Sequence, residues 1–350
     1  MGTREPIGAR FAPVLISPER VIRQVVGLRP FRRSGFNVSV DRVGDVLVIH
    51  NYGHGGGGIS LSWGTALMAA EHALATPHRA AAVIGAGVVG LSTARCLQER
   101  GFRVTIYAAD VPPNTTSNVA GASWGPFSVF DPGCTPAGFE LEFKRAARLA
   151  YEHLEGLGSP RYGVSWRHNY WLSDGRLEGL AVPAEEDRLI EGLRPAAETL
   201  PPDEHPFAGL SVSRRPTMLI EPPIYLSALL DDVRHAGGTV VVRRFDGREE
   251  LASLGVPLVM NCTGLGAGAL FDDRDVLPIK GQLVVLQSQP EVDYLTIGPG
   301  DLYMMPRADG IVLGGTHERG VWSLDPNPVE AERILSGHRR LFRTVAGPVK

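Results

Sequence analysis

A glycine-rich stretch, GAGVVG, has residue types and spacing that suit nucleotide binding. Gly85, Gly87 and Gly90 follow the apolar run AAAVI and begin the helical pattern VVGLSTARCLQERG. The first glycine permits a tight turn, the second lets backbone N–H groups approach a pyrophosphate, and the third lets the helix pack on its strand. Asp110 lies about 20 residues beyond, where a carboxylate can accept hydrogen bonds from a ribose. A bound dinucleotide is predicted; the alternative is a structural strand-to-helix turn.

A second glycine-rich turn comes earlier in the chain, in HNYGHGGGGISLSWG from His50 to Gly64. It has three possible explanations: part of the same nucleotide site, a separate site, or a flexible turn. We interpret His50 and His54 as hydrogen-bonding scaffold rather than as a base or metal ligands. No metal site is predicted.

Strand and helix patterns alternate around both turns. The sequence predicts a strand over residues 45–51 and an alanine-rich helix over residues 62–75. A strand–helix–strand unit follows over residues 80–110, and an amphipathic helix is predicted over residues 223–238. Residues 283–313 instead alternate short apolar runs with turn residues, as an antiparallel sheet does.

Composition restricts the class of protein and of partner. The chain has 350 residues, 43% hydrophobic and 21% charged, which is typical of a globular enzyme with two domains or one large α/β unit carrying an inserted lobe. A formal net charge of −3 gives no electrostatic footprint for nucleic acid. No run approaches the roughly 20 apolar residues that span a bilayer. The expected partner is a small molecule.

The cysteines and the N-terminus suggest a location in the cell. Cys96, Cys134 and Cys262 have neither metal-ligand spacing nor an even disulfide framework, which favours a reducing compartment. We interpret all three as packing residues. Because the first residues lack a long apolar stretch, the cytoplasm is the expected location. A homodimer is a possible assembly.

A third turn of small residues, MNCTGLGAG at residues 260–268, follows another apolar run and suits an extended cofactor such as FAD. The segments VIGAGVVGLSTARCL, NTTSNVAGASWGPF, VMNCTGLGAGAL, LYMMPRADGIVLGGT, GLRP and VIHNYGHGGGGISLSWGTAL together resemble the D-amino-acid oxidase family of FAD enzymes. The resemblance covers about residues 21–346. It implies the α/β class, with a Rossmann-like FAD-binding domain and a smaller antiparallel β-rich substrate domain.

The resemblance also implies which residues contact FAD. They lie in the three glycine-rich turns, in the segment from residue 109 to residue 123 and at residue 245. The implied set is Gly85, Gly87, Val88, Val89, Gly90, Ala109, Asp110, Thr115, Thr116, Gly121, Ala122, Ser123, Phe245, Cys262, Thr263 and Gly264, with Gly55, Gly56, Gly58, Ile59 and Ser60 from the early turn.

The order of the segments differs from that of the family. There the HNYGHGG segment and its helix close the chain, whereas here they precede the Rossmann strand, so the sequence resembles a circular permutant in which both turns serve one FAD. Permutation is tolerated where termini lie close together at the surface. The expected division is an extension at 1–20, an FAD-binding domain from 21–130 and 223–282, and a substrate domain from 131–222 and 283–350.

The family chemistry implied is hydride transfer from Cα of a D-amino acid to the flavin, reoxidation by O₂ and hydrolysis of the imine. Arg29 of GLRP matches the carboxylate-binding arginine, whose planar fork suits a carboxylate. Tyr303 of LYMMP matches a tyrosine that contacts the same carboxylate, and the Gly56 carbonyl would face the substrate amine. The alternatives are a surface arginine and a core tyrosine.

Some positions depart from the family. Gly57 replaces a bulky aromatic residue, Gly125 replaces a glutamine, and the neighbourhood of Pro299 lacks a second tyrosine. The stretch from residue 294 to residue 303 is shorter than the lid of vertebrate members, which predicts a more open pocket or a larger substrate. His317 and Arg319 are interpreted as surface residues; the alternative is a basic pocket wall that favours acidic side chains.

Three function hypotheses follow. The first is a D-amino-acid oxidase that acts on free amino acids. The second is a biosynthetic flavin-dependent oxidase or dehydrogenase acting on a tailored amine or amino acid, favoured by the missing polar contacts. The third is a non-catalytic flavin-binding relative. The sequence does not indicate the substrate side chain or the electron acceptor.

Overall fold

Two β-sheets organise the residues that the computed structural model describes, which are 11–121, 123–175, 184–343 and 345. The first, here called the parallel sheet, has the strand order β2-β3-β10-β4-β5-β9, and all its pairings are parallel except that of β2 with β3. Its strands are β2 (Asn37–Val43), β3 (Val46–Tyr52), β4 (Ala80–Ile84), β5 (Arg103–Ala108), β9 (Thr239–Val242) and β10 (Leu258–Asn261).

Helices cover one face of the parallel sheet. The strands are contacted by α1 (Gly58–Leu74), α2 (Val88–Gln98) and α5 (Pro222–His235), and α3 (Phe139–Gly156) packs on α1. The apolar residues of β4 and β10 are buried, as expected for central strands covered on both faces. A Cβ on Gly64 of α1 would lie 1.9 Å from the backbone oxygen of Ala146 in α3, so the two helices can pack this closely only with glycine there.

The predicted strand–helix–strand unit is observed as β4, α2 and β5, and the predicted strand at residues 45–51 is β3. β3 lies in the same sheet as β4, with β10 between them. The helix after the early turn begins at Gly58, about one turn earlier than predicted, because Gly55–Gly57 already form a 3₁₀ turn that leads into it.

The second sheet, here called the antiparallel sheet, has nine strands among the described residues, in the order β1-β11-β14-β13-β12-β6-β8-β7 with β15 beside β11. Its pairings are antiparallel except that of β12 with β6. Its strands are β1 (Val21–Arg32), β6 (Val164–Ser173), β7 (Glu198–Leu200), β8 (Ser211–Ile220), β11 (Val276–Leu286), β12 (Leu295–Gly298), β13 (Leu302–Arg307), β14 (Gly310–Gly314) and β15 (Glu318–Arg319).

The outer face of the antiparallel sheet is covered by α7 (Pro328–Phe342) and by the first described residues. The Phe11 ring lies edge-on to Tyr170 and Tyr294, with ring centroids 4.8 and 5.3 Å apart. The Arg339 side chain of α7 donates to the backbone oxygen of Ile16 at 3.4 Å. The first and last described segments therefore lie together. Two short helices, α4 (Ala184–Leu189) and α6 (Gly266–Leu270), complete the elements.

One interpretation of the cysteines is wrong. Cys96 and Cys262 are buried packing residues, but Cys134 is exposed, because it lies in an irregular surface segment between β5 and α3. Within the described ranges, none of the helices combines the length and apolarity required to cross a membrane. In the same part of the chain, no cluster of His, Cys, Asp or Glu side chains could hold a metal ion.

Candidate active site

A cavity of about 640 Å³ lies between the carboxyl ends of the parallel strands and one face of the antiparallel sheet. The ends of β3, β4 and β5 and the turn after β10 line one side of it, and residues of β1, β11 and β13 line the other. Ligands of open α/β sheets bind outside the carboxyl ends of the strands, and this volume is within the usual range for small-molecule sites. The cavity is therefore the candidate active site.

The glycine turn after β4 has the close contacts that its sequence predicted. Gly85 has a φ of +109°, and a Cβ there would lie 2.3 Å from the backbone oxygen of Cys262. A Cβ on Gly90 would lie 2.1 Å from the Gly85 oxygen, so α2 packs directly on the turn. The first backbone N–H groups of α2 have no partner within the helix and form an anion site. One of them, that of Val88, donates to Ser117 Oγ at 3.0 Å.

Most residues predicted to contact the cofactor line this cavity. Those that do are Gly55, Gly56, Gly58, Ile59, Gly85, Gly87, Val88, Val89, Ala109, Asp110, Thr115, Thr116, Gly121, Phe245, Cys262, Thr263 and Gly264. Contact with FAD stays a prediction for each of them. Gly90, Ser60 and Ser123 do not line the cavity, and Ala122 lies outside the described residues. Ser60 Oγ instead accepts a hydrogen bond from the Gly125 N–H at 2.9 Å.

Sequence reasoning missed two arginines near the Asp110 end of the cavity and one behind its wall. Arg243 and Arg244 line the cavity, and the Arg243 guanidinium lies 4.6 Å from the Phe245 ring centroid. Arg307 is buried and donates from Nη1 to the Ala120 oxygen at 3.0 Å. Of these three, only Arg307 had a signal in the sequence: it follows an apolar strand and precedes Asp309 by two residues.

Arg29 and Tyr303 are neighbours at the other end of the cavity. Arg29 Nη1 donates to the backbone oxygen of Thr316 at 3.1 Å. Burial raises the pKa of Tyr303, and the positive charge and hydrogen bond of Arg29 oppose that rise. A Cβ on Gly281 would lie 2.6 Å from Arg29 Nη1, and one on Gly314 would lie 2.1 Å from the Tyr303 ring. Both side chains therefore lie flat over glycine backbone, which fixes their orientation.

The early glycine turn closes the same end of the cavity. Gly56 lines it, and the Gly56 N–H donates to the Ser128 oxygen at 2.9 Å. Behind the turn, His54 Nε2 lies 2.9 Å from Thr65 Oγ1, and burial lowers the pKa of His54 to about 3. His50 Nδ1 lies 3.0 Å from Asn261 Nδ2, and burial also lowers the pKa of His50. Both histidines are hydrogen-bonded scaffold, as predicted.

The structure explains one of the departures and bears on the interpretation of Arg319. A Cβ on Gly125 would lie 2.5 Å from the Phe127 ring, so this ring covers the position where a longer polar side chain would stand. Arg319 forms an ion pair with Asp131, which also accepts from Arg33, and the Arg319 side chain is 45% exposed. This geometry supports the interpretation of Arg319 as a surface residue.

The parallel sheet bears a nucleotide-binding turn, and the antiparallel sheet brings a half-buried arginine and a buried tyrosine to the same cavity. This combination defines a two-sheet flavoprotein oxidoreductase. Residues 80–350 match the family model described as DAO, FAD dependent oxidoreductase. The chain belongs to this family.

Curated relatives carry similar names. The chain is 36% identical over 263 residues to a D-amino-acid oxidase of Rubrobacter xylanophilus, an alignment that covers 73% of this chain and 74% of that protein. It is 32% identical to the D-aspartate oxidase of Homo sapiens, with 73% of each chain covered. Among solved structures, glycine oxidase from Bacillus cereus superposes with a TM-score of 0.58 at 19% identity, over 75% of this chain and 78% of that one. The last comparison shows the fold alone.

The protein is thus an FAD-dependent oxidoreductase of the D-amino-acid oxidase type, and FAD is its cofactor. The residues present fit that group. At Gly85 and Gly90 a Cβ would collide with backbone atoms of the protein. At Gly87, which lines the cavity, a Cβ would approach only Ser117 Oγ, at 3.1 Å, so the backbone there faces the space that a cofactor would occupy. A cavity lined by the N-terminus of a helix, α2, and by the Asp110 carboxylate suits the pyrophosphate and a ribose of a dinucleotide.

Proposed function

We propose that this enzyme oxidises a free D-amino acid to the 2-oxo acid, with release of ammonia and reduction of O₂ to hydrogen peroxide. The observation that carries the proposal is the pair formed by Arg29 and Tyr303, which lines the same cavity as Gly56. The names of the curated relatives support an amino-acid substrate.

Each of the three residues has a distinct role in this proposal. The Arg29 guanidinium binds the substrate carboxylate, since its free N–H groups present a charged fork while Nη1 is oriented by Thr316. The Tyr303 hydroxyl stays protonated, because burial raises its pKa, and donates to the same carboxylate. The backbone carbonyl of Gly56 accepts from the substrate amine. Two fixed ends orient Cα, and orientation supplies much of the rate in such reactions.

When bound, FAD supplies the hydride acceptor, and O₂ takes the electrons onward. The chain's own part is to bind the amino acid at its carboxylate and its amine and to orient Cα for loss of the hydride. His54 does not act as the general base, because burial lowers its pKa to about 3 and its Nε2 forms a hydrogen bond with Thr65 Oγ1. The imine product hydrolyses with one water to the oxo acid and ammonia.

The experiment is an anaerobic substrate screen on the purified yellow protein. D-amino acids should bleach the flavin absorbance and, in air, yield one hydrogen peroxide per 2-oxo acid, whereas the L-enantiomers and the decarboxylated amines should not. Equal bleaching by an amine would favour a biosynthetic amine oxidase. The observation that supports this alternative is the Phe127 ring, which covers the position at Gly125 where a longer polar side chain would stand. A flavin that no amine or amino acid reduces would indicate a non-catalytic relative.

We also propose that the chain is a circular permutant of the family order. The matching region begins at residue 80, while earlier residues supply β1 with Arg29, β3 and α1. The closeness of Ile16 to Arg339 supports the proposal, because it shows the described ends side by side. A chain that begins at His78 and joins residue 350 to residue 1 should fold and bind FAD as the parent does. If the rearranged chain bound no FAD while the parent bound it, the proposal would be contradicted.

A further inference from the structure

A buried carboxylate, Glu186 of α4, holds the loop behind the predicted substrate end of the cavity. The residue is 0% exposed. Its Oε1 accepts from the Val129 N–H at 2.7 Å, and its Oε2 accepts from the Ser128 N–H at 3.0 Å. One carboxylate therefore binds two consecutive peptide groups, and hydrogen bonds to a charged acceptor are stronger than neutral ones.

The loop that Glu186 holds is in direct contact with the early glycine turn. The Ser128 oxygen accepts from the Gly56 N–H at 2.9 Å, and a Cβ on Gly55 would lie 2.1 Å from the same oxygen. A Cβ on Gly56 would lie 2.6 Å from the Phe127 oxygen. Ser128 has a φ of +56°, in the left-handed region that is uncommon for serine and persists where surrounding contacts determine it.

We propose that Glu186 is a positioning residue for the substrate amine site: its carboxylate holds Ser128, and Ser128 holds the peptide of Gly56 at the cavity wall. The inference rests on the proposed function, in which Gly56 faces the amine. Glu186 does not line the cavity and touches neither substrate nor cofactor. Its effect reaches the reaction through two hydrogen bonds in series.

The contact depends on ionisation. Burial raises the pKa of Glu186 to about 7, and the backbone N–H groups of Val129, Ser128 and Phe130 oppose the rise. When the carboxyl is protonated, one oxygen carries a hydrogen and faces a backbone N–H, so that two donors meet and one hydrogen bond is lost. The positioning of Gly56 should therefore weaken as the pH falls below about 7.

The charged surroundings of Glu186 favour this titration. Glu185, on the same helix, also raises the pKa of Glu186. Among the described residues no cationic side chain forms an ion pair with Glu186, and His54 behind the glycine turn is neutral because burial lowers its pKa. The other charged groups of the adjoining segments are engaged elsewhere: Arg188 with Glu140, Arg194 with Asp187, and Asp131 with Arg33 and Arg319.

The test is the Glu186→Gln holoenzyme compared with the parent across pH. The ratio of the two kcat/KM values cancels the ionisation of the substrate itself. At about pH 8.5 the variant should be about tenfold lower, mainly through KM, because one charge-assisted hydrogen bond is replaced by a clash of donors. The ratio should approach one below about pH 6, where the parent is protonated too. Glu191→Gln, an exposed neighbour, is the matched control and should follow the parent.

Amide hydrogen exchange separates this inference from the proposed function. The amides of residues 128 and 129 should exchange about tenfold faster in Glu186→Gln than in the parent at about pH 8.5, whatever the substrate. If the parent oxidises no D-amino acid, the proposed function fails while the exchange result still reports on the loop. A constant kcat/KM ratio with unchanged exchange would overturn the role of Glu186 and leave the function standing.

A second variant keeps the test independent of folding. Glu185→Gln removes a neighbouring negative charge, so the pKa of Glu186 falls and the pH dependence of kcat/KM moves to lower pH. The direction of this shift is the readout. A profile that stays in place or moves to higher pH would contradict the assignment.

Discussion

The two ends of the cavity are built in different ways. At the nucleotide end, the turn between β4 and α2 is made of consecutive residues, and backbone sterics at Gly85 and Gly90 determine its shape. At the proposed substrate end, Arg29 lies beside Tyr303 and donates to Thr316, which is 287 positions away in sequence. The first end depends on a local motif, whereas the second depends on which strands are neighbours.

This difference predicts where substitutions lose the cofactor and where they lose only the reaction. Gly90→Val is expected to have the largest effect. Even the first carbon of the new side chain would lie 2.1 Å from the Gly85 oxygen, so α2 must move away from the turn. The purified variant should carry no FAD, which an absorbance spectrum checks.

Gly101→Ala is the control for Gly90→Val, since a Cβ there meets nothing within 4 Å and its φ of +83° tests backbone strain alone. It should retain FAD with a modest loss of stability. If Gly90→Val bound FAD as well as the parent, the local account of the nucleotide end would fail.

Arg29→Leu should lose the reaction and keep the cofactor. A carboxylate removed from water needs a partner, and charge-assisted hydrogen bonds contribute roughly 1.5–3 kcal/mol each, so kcat/KM should fall by on the order of 10² to 10⁴. FAD content should be unchanged. Arg29→Lys should recover only part of the loss, because one ammonium does not reproduce the planar fork. Steady-state kinetics on the best D-amino acid measures both variants, and normal turnover by Arg29→Leu would refute the assignment.

The same contrast explains what the sequence could predict. The β4–α2–β5 unit is specified by short-range patterns, and the structure confirms it. The scaffold role of His54 was predicted on other grounds, because the flavin chemistry that the family resemblance implied needs neither a base nor a metal at that position. The first prediction needed only local residue types, whereas the second also needed the resemblance.

The hydrogen bonds of Glu186 to the loop left no comparable signal in the sequence. Its helix, AEEDRL, is rich in charged residues, which is typical of a helix exposed to solvent. Only the tertiary fold buries one of its carboxylates against the N–H groups of Ser128 and Val129. The ring of Phe127 over Gly125 is a different case, because it depends on a tight turn in which the Phe127 N–H donates to the Gly125 oxygen at 3.0 Å. Burial of a polar residue by a distant segment cannot be read from periodicity.

Glu186 should lower the stability of the fold as the pH rises. Its folded pKa is about 7 against an ordinary 4.5, so the folded state binds the proton more tightly than the unfolded one. Its contribution is therefore complete below about pH 4.5 and is lost as the pH rises through about 7, with a difference on the order of 3 kcal/mol. Relative to the parent, Glu186→Gln should gain stability between pH 5 and pH 8 in urea unfolding. A constant difference would contradict a raised pKa.

The smallest effect is expected at Arg319, at the rim of the substrate end. Its guanidinium is paired with Asp131 and stands 4.8 Å from the Phe31 ring centroid, and half-exposed ion pairs contribute about 0–1 kcal/mol. Arg319→Gln should therefore change kcat/KM by less than about threefold for neutral and acidic D-amino acids alike, because Asp131 keeps Arg33 as a partner. The informative quantity is the ratio of the two substrates. A loss confined to the acidic substrate would show that Arg319 turns from Asp131 to the substrate, and the basic-wall alternative would then replace the surface interpretation.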